Sequence, residues 1–194
     1  AVRDLALGIA PKDFDVATNA TPDQVQRLFR KARLIGRRFQ IVHVTFFGKG
    51  HPEIIEVSTF RALLDNAGDH VAESGRILRD NVWGSQGEDA ARRDFTINAI
   101  AQEINNDSEL IGPLIDPYGG QKDLQDKVMR HVSDAFQEDP LRILRLARIM
   151  ARLVDFQIAP STFSLVQKMV LDGELQFLVS ERVWLEISRG LLEH

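Results

Sequence analysis

A mixed α/β front half followed by a mostly helical back half is the architecture this sequence predicts, on three observations. Two β-rich runs, residues 40–46 (QIVHVTF) and 53–58 (EIIEVS), flank a turn-forming stretch over residues 48–52, the pattern of a hairpin. Thr21, Pro22 and Gln24 form a capping-box start for a helix running to about Lys31. Beyond Pro140, apolar residues recur at helical period through Leu141, Leu144, Ala147, Ile149 (or Leu146), Met150 and Leu153, and the segments 162–171 and 180–191 read the same way, with Ser180 as a natural N-cap.

The remaining elements follow in order. Residues 13–17 (DFDVA) lie between Pro11-Lys12 and a polar stretch and read as a short strand. Residues 62–89 lack apolar periodicity and are rich in Gly, Asp, Asn and Ser, so a long, mobile loop is expected. From Phe95 the chain turns helical, and the boundary to the helical half falls near residues 134–139.

Composition narrows the function. With 194 residues, 44% hydrophobic and 27% charged, the chain can bury a real core. No stretch approaches the ~18 to 20 apolar residues of a membrane span, and the N-terminus lacks a signal-peptide pattern, so a cytoplasmic protein is expected. There is no cysteine, which excludes disulfides and thiolate zinc sites and leaves oxygen or imidazole to hold any metal. A net charge of −4 argues against a general nucleic-acid binder, yet cations cluster at Arg27, Arg30, Lys31, Arg33, Arg37 and Arg38, and again at Arg142, Arg145, Arg148 and Arg152.

Asp13 and Asp15, two apart on a predicted strand, would send both carboxylates to one face, where two hard oxygen ligands can bridge divalent cations. Glu56, facing away from Ile55 and Val57, would be the third carboxylate of a two-metal site, with the three groups within roughly 4 to 7 Å of one another. A solvated strand end is the competing explanation for the D-x-D. Arg92-Arg93-Asp94 stands before a helix start, where Asp94 could cap and the arginines could meet phosphates. Asp139-Pro140-Leu141-Arg142 starts another helix, with Asp139 and Arg142 placed either to read the edge of a base or to form a first-turn ion pair.

Val2-Arg3-Asp4, residues 13–18 (DFDVAT), 56–61 (EVSTFR), 92–99 (RRDFTINA) and 138–142 (EDPLR) resemble, in order, the motifs of the class II nucleotidyltransferases, which include bacterial poly(A) polymerases and CCA-adding enzymes. The resemblance runs nearly end to end. Residues 12–99 look like a poly(A) polymerase, and residues 115–191 look more like a proteobacterial CCA-adding enzyme. It implies an α+β, polymerase-β-like head with a mixed sheet and helices on one side over residues 1–134 and an all-α neck over 135–191, while Leu192-Glu193-His194 by itself resembles a tag remnant. The missing start methionine and the absence of the family's glycine pair before Val2 lead us to expect a fragment.

The same resemblance implies residue roles. Asp13 and Asp15 would hold two Mg2+ ions with Glu56 as the third carboxylate. Arg3 would contact phosphate, Asp94 the ribose hydroxyl and Asn98 the triphosphate. Asp139 and Arg142 would read the base, with Arg145 nearby. The implied reaction transfers AMP from ATP to an RNA 3′-hydroxyl, on mRNA or tRNA, and releases pyrophosphate. CCA addition from CTP and ATP is the alternative, and a catalytically silent nucleotide- or RNA-binding module is the alternative of another class. A metal-dependent phosphohydrolase is disfavoured because the histidines are scattered.

Overall fold

The computed structural model describes residues 1–36, 40–48, 51–63, 82–105, 107 and 109–192. The chain divides into two compact units, Ala1–Ala91 and Arg92–His194. Among the described residues no helix is long and apolar enough to cross a membrane.

The first unit contains α1 (Val2–Ala6), β1 (Asp15–Thr18), α2 (Pro22–Leu28), β2 (Ala32–Ile35), β3 (Ile41–Phe46), β4 (Glu53–Thr59) and α3 (Gln86–Ala91). Its sheet has the order β1-β4-β3-β2, with β2, β3 and β4 antiparallel and β1 parallel to β4. Strand alternation divides the faces. Val42 and Val44 point to one side, where they are buried with Val25 of α2 and flanked by Ala20, Ala32 and Val57. Arg33, His43 and Glu56 occupy paired positions on the other face. The Thr21 capping box forms, with Thr21 N–H donating to Gln24 Oε1 at 2.8 Å and Gln24 N–H to Thr21 Oγ1 at 3.4 Å. The helix ends at Leu28 rather than near Lys31, because the chain turns extended at Phe29 and residues 32–35 add to β3 as an edge strand.

Most of the expected mobile loop, residues 64–81, lies outside the described residues. Its described ends are ordered by pairing. Arg61 bridges Trp83, and Ala62 N–H donates to the Val82 carbonyl at 2.9 Å. Gly84 permits this approach, since a Cβ there would sit 2.5 Å from the Ala62 backbone. Ser85 and Glu88 then exchange reciprocal hydrogen bonds that start α3.

The second unit begins with a short 3-10 turn, Thr96–Asn98. The helix expected from Phe95 does not continue. An antiparallel hairpin of β5 (Ala101–Ile104) and β6 (Leu110–Ile115) follows instead. Asn105 Oδ1 accepts from the N–H groups of Asp107 and Glu109 at 2.9 Å each, the side-chain turn chemistry that redirects the backbone. Next come α4 (Gly120–Gln125), β7 (Val128–Met129), α5 (Leu141–Arg152), β8 (Gln157–Ile158), α6 (Pro160–Leu171) and α7 (Ser180–Gly190). The cap position of α7 is Val179, and Ser180 does not cap it. Phe95 and Phe136 are fully buried and meet edge to face at 5.6 Å. This contact lies inside the second compact unit, Arg92–His194.

Candidate active site

In the first unit, Asp15 opens β1 and stands directly beside Glu56 on the parallel neighbour β4. Paired residues on adjacent strands share a face, so the two carboxylates project together from positions about 4.8 Å apart. Both are exposed. Asp13 is also exposed, but it precedes the strand instead of lying within it. The row continues across the sheet, because Glu56 pairs with His43 and His43 pairs with Arg33. His43 Nε2 lies 3.3 Å from Glu56 Oε1, a contact that sequence reading missed because the residues become neighbours only through strand register. Arg3 Nε donates to Asp4 Oδ1 at 2.8 Å.

Carboxylates without competing thiolates suit a hard divalent cation, and Asp13 and Asp15 make no ion pair among the described residues. The expected threefold convergence is not formed. Among the described residues no group of three or more acidic or imidazole side chains closes into a metal cage. The donor chemistry of Asp15 and Glu56, register partners on adjacent strands, suits a hard divalent cation.

In the second unit the acidic groups are already satisfied. Asp94 is only 6% exposed; its Oδ1 accepts from Phe95 N–H at 2.8 Å and Asn98 Nδ2 at 2.9 Å, and its Oδ2 from Arg145 Nε at 2.8 Å. Burial alone would raise its carboxyl pKa, but the Arg145 charge, the Asn98 and Arg145 hydrogen bonds and the Arg142 charge together bring it down to about 2. Arg145 also approaches buried Glu186, whose Oε2 accepts from Arg148 Nε at 2.7 Å. Asp139 and Arg142, read from sequence as a pair, do not bond through their side chains. Arg142 donates to the carbonyls of Ala135, at 2.6 Å, and Arg92, at 2.8 Å. The Asp139 carboxylate is held by Arg182 at 2.7 and 3.3 Å and accepts the Leu141 N–H at 3.2 Å. Burial would raise the Asp139 pKa too, and the Arg182 bond and charge hold it below the ordinary carboxylate range.

Arg182 and Glu186 were not singled out from sequence. Their four-residue spacing on α7 puts them on one helix face, but nothing local points to partners such as Asp139, 43 residues away.

This α+β arrangement is the nucleotidyltransferase head fold of the CCA-adding enzymes. Among solved structures, the Bacillus stearothermophilus CCA-adding enzyme in complex with CTP matches with a TM-score of 0.72 at 34% identity, over 98% of this chain and 42% of that one. The Thermotoga maritima CCA-adding enzyme complexed with tRNA matches with a TM-score of 0.70 at 30% identity, over 100% of this chain and 42% of that one. The sequence matches the family described as Poly A polymerase head domain over residues 1–130, and the chain belongs to that family. Its relatives include the multifunctional CCA protein of Paraburkholderia phytofirmans, 47% identical over 194 residues, which span all of this chain and 45% of the relative. Poly(A) polymerase I of Escherichia coli O157:H7 is 47% identical over 169 residues, 83% of this chain and 34% of that protein. The chain thus spans less than half the length of these relatives.

Proposed function

We propose that this chain carries the nucleotide-transfer part of a template-independent, cytoplasmic RNA 3′-end nucleotidyltransferase that adds AMP from ATP and releases pyrophosphate. The observation that carries the reading is the exposed Asp15–Glu56 pair on neighbouring strands of a head belonging to the poly(A) polymerase family. Asp13, Asp15 and Glu56 would hold Mg2+. When bound, the cation supplies charge neutralisation at the α-phosphate and makes the 3′-hydroxyl a better nucleophile. The rest of the task is positioning. Arg3 would meet phosphate, Asp94 the ribose hydroxyl and Asn98 the triphosphate, and Asp139 with Arg142 and Arg145 would distinguish the base. In that role Asp139 supplies acceptors and the arginines supply donors, and a mismatched base is rejected because it leaves polar groups unpaired.

CCA addition from CTP and ATP is the second reading, supported by a match over all of this chain to 45% of a multifunctional CCA protein. Extension of a labelled A-ending oligonucleotide, and of a tRNA ending before its CCA, with each nucleotide separately tests both. ATP-only extension of the oligonucleotide supports the first reading, and CTP-then-ATP extension of the tRNA supports the second. Nucleotide binding without any extension would instead assign a silent binding module.

A further inference from the structure

On the same sheet face as Asp15 and Glu56, the first unit carries an open trough of about 540 Å3. Its lining includes Arg30, Lys31, Arg33 and His43 together with Ile54 and Phe47, and it includes no carboxylate. No acidic side chain of the described residues pairs with Arg30, Lys31 or Arg33. Phe47 is 66% exposed, and Lys31 Nζ stands 5.7 Å from its ring centroid. Arg33 and His43 are register partners, and His43 is in turn the partner of Glu56, so the trough runs directly into the carboxylate row.

Uncompensated cations beside an exposed aromatic ring are the two ingredients of a single-strand nucleic-acid platform. The cations meet phosphates, and the ring stacks a base whatever its sequence. We propose that this trough binds single-stranded RNA, holding the segment just upstream of the 3′ end, with Arg30, Lys31 and Arg33 on phosphates and Phe47 under a base. The assignment rests on the RNA 3′-end reading above and adds to it a place on the head where the strand is gripped. The exposed ring selects RNA over an acidic protein partner, because it can stack a base but gives a polypeptide carboxylate nothing to stack on.

The test is fluorescence anisotropy of a labelled oligoadenylate with the chain and its Lys31→Gln, Arg33→Gln and Phe47→Ala variants, across a salt series. All three side chains are exposed on the surface, and thermal melts would verify that each variant folds. Each charge removal should weaken binding and flatten the slope of log affinity against log salt by about 0.7. Phe47→Ala should weaken binding about tenfold with the slope unchanged. A polyglutamate peptide of matched charge should compete poorly and be indifferent to Phe47.

An unaltered chain that does not bind the oligonucleotide, variants that bind like it, or polyglutamate that binds as tightly as RNA would each overturn the proposal. Nucleotide incorporation measured alongside separates the two readings. Intact transfer with RNA affinity indifferent to the trough sinks the trough alone, whereas trough-dependent RNA binding with no transfer of any nucleotide sinks the enzymatic reading alone.

Discussion

The carboxylates of the two units live in opposite circumstances. Asp13 and Asp15 of the first unit are exposed and unpaired among the described residues, and Glu56 has only a 3.3 Å histidine contact. Asp94, Asp139 and Glu186 of the second unit are largely buried, each with an arginine 2.7 or 2.8 Å away. An exposed carboxylate costs little to hold and is available to a cation. A buried carboxylate survives only because its partners are fixed, so it contributes geometry and stability before it contributes chemistry. The prediction is a division of labour, in which changes at the exposed carboxylates of the first unit cost rate and changes at the buried carboxylates of the second cost stability first.

The largest effect expected is on rate. Asp15→Asn should lower nucleotide incorporation by about 10^3-fold, equivalent to about 4 kcal/mol, because it removes a charged cation ligand. Its urea midpoint should stay near that of the parent. A large fall in stability there would erase the contrast. Next is Arg145→Met, which strands Asp94 in a buried site and should cost about 3 kcal/mol in chemical denaturation. A change below about 0.5 kcal/mol, the scale of neutral surface substitutions, would show that the network is not structural.

Acid should sharpen the same comparison. Asp94 has a depressed pKa, so its contribution is fully present above the ordinary value of 3.8 and is lost as pH falls through about 2. It amounts to about 2 kcal/mol. Stability measured between pH 5 and 2 should fall, and Asp94→Asn should flatten part of that fall. The smallest effect expected is Thr21→Ala, which removes the α2 cap and should cost about 1 kcal/mol with no change in metal affinity.

Legibility from sequence followed the range of the interactions. The capping box at Thr21, the β3–β4 hairpin and the helices after Pro140 rest on neighbours within a few residues, and all three are present. Strand β2 is recruited by β3 and carries no signal of its own, and the β5–β6 hairpin depends on the Asn105 side-chain turn within what read as a helical stretch. For the site, alternation along β4 anticipated that Glu56 opposes Ile55 and Val57. Whether Asp15 meets it depends on the parallel register of β1 with β4, which no local pattern encodes. Asp139 and Arg142 failed as a pair for the same reason. Three-residue spacing made contact possible, but Arg182 and two backbone carbonyls provided better partners from elsewhere in the fold.

The most direct test of the division between the units is a Mn2+ titration followed by water-proton relaxation, with Mn2+ standing in for Mg2+. Parent chain and Asp94→Asn should bind the ion with the same affinity, and an Asp13→Asn, Asp15→Asn double variant should lose the site. A double variant that binds Mn2+ like the parent, or a parent that binds none, would contradict the assignment of the exposed carboxylates as the cation site.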